Sequence, residues 1–122
     1  MNYSRSSAIT RISDLRLNAV IGCNEWEREC TQEIIINIEM EFDPAAAIES
    51  DELEATLDYR SVKKRIIASV VKSSFNLLES LTAHILDLIM EYPLVQASKV
   101  TVDKPKALRF ADSVSITLSA QR

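Results

Sequence analysis

Glycine occurs once among the 122 residues, at position 22, and that scarcity removes whole classes of chemistry. A phosphate-cradling loop needs several glycines so that backbone N–H groups can approach the ligand. Neither a P-loop nor a dinucleotide-binding fingerprint can therefore be built, and no nucleophile elbow is present. Histidine is equally scarce: His84 stands alone, which excludes metal sites made from two or three imidazoles of one chain. Two cysteines, Cys23 and Cys30, match neither a disulfide framework nor a zinc knuckle and read as reduced thiols. No apolar run approaches the roughly 20 residues of a membrane span, and the opening MNYSRSSAIT lacks the apolar core of a signal peptide. The expectation is a cytoplasmic protein with no membrane partner.

Positive charge is also in short supply. Eighteen acidic residues against fourteen basic ones leave a net charge of −4, no footprint for nucleic-acid phosphates. With 47% hydrophobic and 26% charged residues, residues 1–122 read as one globular domain. A domain this size buries roughly two-thirds of its unfolded surface. It can fold alone, but a thin sheet-and-helix layer gains from self-association.

Alternation from Ile9 to Ile21, with Leu15, Leu17 and Ala19 on one face, predicts a strand. Gly22 then opens a polar segment, 23–29, that reads as a loop or irregular connection. The next strand is the clearest element: Ile34, Ile36, Ile38, Met40 and Phe42 share a face opposite Ile35, Asn37, Glu39 and Glu41, and it stops at Asp43-Pro44. Residues 45–58 carry signals for only a turn or two of helix. A stripe of Val62, Ile66, Ile67, Val70 and Val71 predicts a helix near 60–73, and Leu78, Leu81, Ile85, Leu88 and Ile89 predict a second that ends before Pro93. Alternation returns over 96–103 and 111–119. The order strand-strand-helix-helix-strand-strand predicts an α+β fold: a four-stranded antiparallel sheet with both helices on one face.

Each residue able to carry chemistry also has a plain structural reading. Glu27 lies in a run with Glu25, Arg28 and Glu29 that resembles a solvated charge cluster, yet the neighbouring Trp26 could wall and orient a carboxylate or anchor a core. Tyr59, ahead of the first long helix, suits a core edge or a proton relay. Asn76-Leu77-Leu78-Glu79 matches a capping box, although an ionised Glu79 could equally accept a ligand's paired N–H groups. Lys104, held extended by Pro105, is a surface lysine or, with a suitable environment, an acid or base. His84 fits a core edge, and Lys63-Lys64-Arg65 a wet helix face.

Taken together, Ile21-Gly22-Cys23-Asn24-Glu25-Trp26-Glu27, Leu57-Asp58-Tyr59, Leu77-Leu78-Glu79 and Asp103-Lys104-Pro105 resemble, in order and spacing, the signature of the dihydroneopterin aldolase family. The resemblance covers nearly the whole chain. From Tyr59 onward, and most of all over 107–115, the chain looks more like the sister enzyme, dihydroneopterin triphosphate 2′-epimerase, whereas Glu25-Trp26-Glu27 and Pro105 look more like the aldolase.

This resemblance implies a tunnelling fold in which four chains close their sheets into a ring, two rings stack into an octamer, and active sites form between subunits. It also implies a small-molecule pterin as substrate, no metal and no cofactor. Lys104, Tyr59 and Glu27 become the expected catalytic residues. Glu79, Glu27, Tyr59 and Leu78 become the substrate-binding ones, with Glu79 gripping the 2-amino and N3–H edge of the ring. Arg60, Lys63, Lys106 and Arg109 are candidates for phosphate contacts. The first expectation is aldolase activity, releasing 6-hydroxymethyl-7,8-dihydropterin and glycolaldehyde in folate synthesis, with some epimerase activity beside it. The alternatives are a dedicated triphosphate 2′-epimerase and a non-catalytic pterin-binding ring. Zinc-dependent relatives of the fold are disfavoured by the single histidine.

Overall fold

A computed structural model describes residues 2–122, apart from the side chains of Arg28 and Glu29. In chain order the elements are β1 (Ala8–Ile21), α1 (Glu25–Glu29), β2 (Gln32–Phe42), α2 (Ala45–Ser50), a 3₁₀ turn (Leu53–Ala55), α3 (Tyr59–Val70), β3 (Ser74–Phe75), α4 (Leu78–Met90), β4 (Ala97–Pro105) and β5 (Ser113–Gln121).

The α+β class holds, but the sheet is mixed and five-stranded, in the order β3-β1-β2-β4-β5. The four long strands pair antiparallel as expected. The fifth, β3, runs parallel to β1 through Val20 with Ser74 and Ile21 with Phe75. Two residues cannot display an alternation; Ser74-Phe75 becomes a strand because the β1 edge offers it partners. A second difference is α1, which occupies the segment expected to be a loop, and with α2 there are four helices among the described residues rather than two.

Strand β2 keeps every second residue from Ile34 to Phe42 buried, the pattern of a sheet with one dry face. Leu81, Ile85 and Ile89 of α4 and Val62, Ile66 and Val70 of α3 pack onto that face and are fully buried. Each such side chain contributes roughly 1.5–3 kcal/mol. Helix α3 lies over β1, and α4 over β4 and β5. Asp58 starts α3 by accepting from the N–H groups of Arg60 and Ser61 at 3.1 and 3.2 Å, which satisfies two of the donors that a helix start leaves unpaired. The helix ends at Val70, so Val71, expected on the buried stripe, is 54% exposed.

In β1 the alternation slips between Ile12 and Leu15. Asp14 is left-handed, φ 53°, and its N–H donates to Asn37 Oδ1 at 2.9 Å. This bulge lets Ile12 and Leu15 both pack against the core. The opposite sheet face carries the Arg11–Glu39–Lys99 ion pairs. Among the described residues no helix is long and apolar enough to cross a membrane.

Candidate active site

Glu27, placed in a solvated run by its neighbours, is 6% exposed. The chain leaves β1 at Ile21, turns at Gly22 and enters α1, whose third residue is Glu27. The Glu27 N–H donates to the Asn24 carbonyl at 3.0 Å, while Glu27 Oε1 accepts from the Asn24 N–H at 3.2 Å, so the side chain folds back over its own helix start. There it rests on Gly22. A β-carbon at that position would lie 2.2 Å from Glu27 Cδ, and φ is +132°, a conformation open in practice only to glycine. The sole glycine stands where the carboxylate needs room.

The other oxygen, Oε2, accepts from Gln32 Nε2 at 3.1 Å and from Lys104 Nζ at 2.5 Å. Gln32 spends its second amide hydrogen on the Ile21 carbonyl, 2.9 Å away. The Lys104 hydrogen bond, then that of Gln32 and the Asn24 N–H, outweigh burial and hold the Glu27 carboxyl at about 2 instead of 4.5. Oε2 is thus committed to two donors, while among the described residues Oε1 has a single long hydrogen bond.

Lys104 comes from β4, 77 residues along the chain, and its side chain is only 14% exposed. Register delivers it: β4 runs beside β2, with Asp103 opposite Ile35. The first turn of α4 adjoins the same end of the sheet, because the Gly22 N–H donates to the Phe75 carbonyl at 3.1 Å and Cys23 Sγ reaches the Asn76 carbonyl at 3.4 Å. Leu78 is buried in that turn and Glu79 is exposed. The expected capping box does not form. The N-cap is Leu77, one residue later than the pattern suggested, so Glu79 is the second helical residue and cannot fold back from the third. Among the described residues its carboxylate has no partner.

Tyr59 is not with them. It opens α3, 54% exposed, beside a cleft of about 840 Å³ lined with Leu53, Thr56, Arg60 and Lys64. Eleven helical steps along α3 separate it from the β3 end, about 16–17 Å at helical rise. The expected phosphate contacts divide in the same way: Arg60 and Lys63 lie in the first turns of α3, whereas Lys106 and Arg109 lie in the hairpin turn that follows Lys104. Neither this cleft nor the 350 Å³ groove on the helix-free face includes Glu27 or Lys104.

Trp26 is 59% exposed and so no core anchor. His84 is a core-edge residue, hydrogen-bonded to Ser69 and packed 5.3 Å from the Phe75 ring. Cys23 and Cys30 are free and exposed. Among the described residues no group of three or more His, Cys, Asp or Glu could hold a metal ion. Sequence reasoning missed Gln32, whose only signal was its place five residues after Glu27.

The family model described as FolB, dihydroneopterin aldolase, matches residues 10–119. A dihydroneopterin triphosphate 2′-epimerase of Pseudomonas aeruginosa is 47% identical over 92% of this chain and 91% of its own. The enzyme of the same name from Escherichia coli K12 is 43% identical over 98% and 99%. A dihydroneopterin aldolase of Haemophilus influenzae is 31% identical over 88% and 91%. Among solved structures, a Vibrio cholerae protein described as a dihydroneopterin aldolase superposes with a TM-score of 0.91 at 27% identity, over 97% of this chain and 100% of that one.

Proposed function

The chain belongs to the dihydroneopterin aldolase family, and from that premise we propose that it is a dihydroneopterin triphosphate 2′-epimerase working through a retro-aldol step. The observation that carries the chemistry is the largely buried Glu27–Lys104 pair, a carboxylate and an amine facing each other at the sheet end where α4 begins. The choice of outcome leans on the relatives: those at 47% and 43% identity bear the epimerase name, and the aldolase-named one stands at 31%.

The substrate supplies its own electron sink. A base takes the 2′-hydroxyl proton, C2′ becomes an aldehyde, and the C1′–C2′ electron pair moves into a C6=C1′ bond as the N5=C6 imine takes up a proton at N5. If the aldehyde turns over and the C6=C1′ electron pair attacks its other face, N5 gives up its proton as the N5=C6 imine returns, the 2′-oxygen regains its own and C2′ is inverted. If the aldehyde leaves, C1′ takes a proton and N5 gives one up as the imine returns, and the outcome is cleavage. Lys104 moves protons, Glu27 Oε1 accepts the hydroxyl of the side chain, and Glu79 clamps the pterin edge with two charge-assisted hydrogen bonds. Tyr59 joins them when a second copy supplies it, so the active unit is a homo-oligomer with sites between chains.

Aldolase activity is the second reading, favoured by the Haemophilus influenzae relative and sharing the same intermediate. Product analysis with 7,8-dihydroneopterin and its triphosphate separates the two. Epimer from the triphosphate supports the first, and dominant hydroxymethyl-dihydropterin release replaces it with the second. No reaction with either sinks both.

A further inference from the structure

The β4–β5 hairpin tip, residues 106–112, begins two residues after Lys104 and projects beyond the last ladder pair, Pro105 with Ser113. It has no glycine, yet Lys106 and Phe110 are both left-handed, φ 65° and 68°, a conformation that costs non-glycine residues free energy. Burial recovers none of that cost: Phe110 is wholly exposed and Leu108 is 58% exposed. Packing within its own chain does not explain the shape of the tip.

Its charges are unspent as well. Elsewhere on the sheet Arg11 and Lys99 face Glu39, Arg16 faces Glu33 and Lys104 faces Glu27. Among the described residues Lys106 and Arg109 are exposed and have neither an ion pair nor a hydrogen bond; Asp112 is the one acid of the tip. At strand rise, the Lys106 Cα lies about 7 Å beyond that of Lys104, on the scale at which a phosphate chain trails from a carbon held at the pair.

We propose that this tip is a tether for the leaving fragment. Lys106 and Arg109 hold the triphosphate of the two-carbon aldehyde after the C1′–C2′ bond breaks, Arg109 through its bidentate fork. The fragment then stays to recombine instead of escaping, and epimerisation prevails over cleavage. The inference rests on the retro-aldol reading above and adds what decides between its two outcomes.

The test measures the ratio of epimer to hydroxymethyl-dihydropterin formed from dihydroneopterin triphosphate, and tripolyphosphate binding by calorimetry, for wild type, Arg109→Ala, Arg109→Lys and Lys106→Ala. Losing charge-assisted contacts should lower the ratio and the tripolyphosphate affinity about 10- to 100-fold in Arg109→Ala, with Arg109→Lys intermediate. An unchanged ratio overturns the tether whatever happens to affinity. If the wild type turns over neither substrate, the retro-aldol reading fails first. Binding then decides the tip: affinity lost in Arg109→Ala keeps it as a polyphosphate site, and affinity unchanged or absent overturns that too.

Discussion

Glu27 Oε2 and Lys104 Nζ lie 2.5 Å apart across 77 residues of chain, and this contact joins the shortest helix to the end of a central strand. Neither side chain is more than 14% exposed, so the pair is shielded from the screening that makes surface ion pairs nearly worthless. A buried pair is costly to assemble and rarely improves on apolar packing. On the reading proposed above, its worth lies in reactivity and not in stability.

Replacing Lys104 with alanine should therefore cost turnover far more than binding. Loss of a positioned proton-transfer group lowers kcat by about 10²- to 10⁴-fold, while pterin affinity, followed by fluorescence titration, should stay within about tenfold. Equal loss of both would mean that Lys104 only builds the pocket.

Glu27 also sets a pH signature. Its carboxyl lies at about 2 in the folded chain against 4.5 ordinarily, so the unfolded state binds its proton more readily. The stabilisation is complete above about pH 4.5 and is lost as pH falls from 4.5 towards 2. Denaturant unfolding across that window should show this slope in the wild type and a shallower one in Glu27→Gln. Identical slopes would remove the pair as its source.

Gly22 makes a steric prediction. Alanine there must displace a carboxylate held by three hydrogen bonds and adopt φ +132°, so Gly22→Ala should destabilise by about 1–3 kcal/mol. A double-mutant cycle isolates the clash: in a Glu27→Ala background the penalty should shrink to the backbone cost. If the two substitutions prove additive, the contact is not what the glycine protects.

Much of this was legible beforehand, and the exceptions share a cause. The faces of β2 follow from period-two alternation alone, and both long helices from their stripes. What could not be read was whatever depends on another segment: β3 exists because β1 offers an edge, and Glu27 is buried because Gly22, Gln32 and Lys104 converge on it. Locally, Glu25 to Glu29 has the composition of a wet loop. The candidate capping box at Asn76 failed for a related reason, since β3 carries the chain straight into α4 and fixes the helix start one residue later.

That shift leaves Glu79 outside the cap, and the proposed clamp on the pterin gives an opposite pair of effects to measure. Without a partner or a capping role, Glu79→Gln should change unfolding free energy by no more than about 0.5–1 kcal/mol. Pterin affinity should fall about 10- to 100-fold through loss of charge-assisted hydrogen bonds. A large stability loss with unchanged affinity would return Glu79 to a purely structural role.

Tyr59 supplies the last test, because within one chain it stands at the opposite end of α3 from β3 and shares no contact with Lys104 among the described residues. If a working site takes Tyr59 from one copy and Lys104 from another, Lys104→Ala and Tyr59→Ala proteins are each inactive but carry complementary intact halves. Unfolding them together at equal concentration and refolding should restore activity to about a quarter of the wild-type value, the fraction of sites that draw each residue from the intact chain under random, symmetric assembly. Refolding each variant alone is the control. Mixtures as inactive as their components, in oligomers shown by light scattering to contain both chains, would mean that Tyr59 and Lys104 do not share a site.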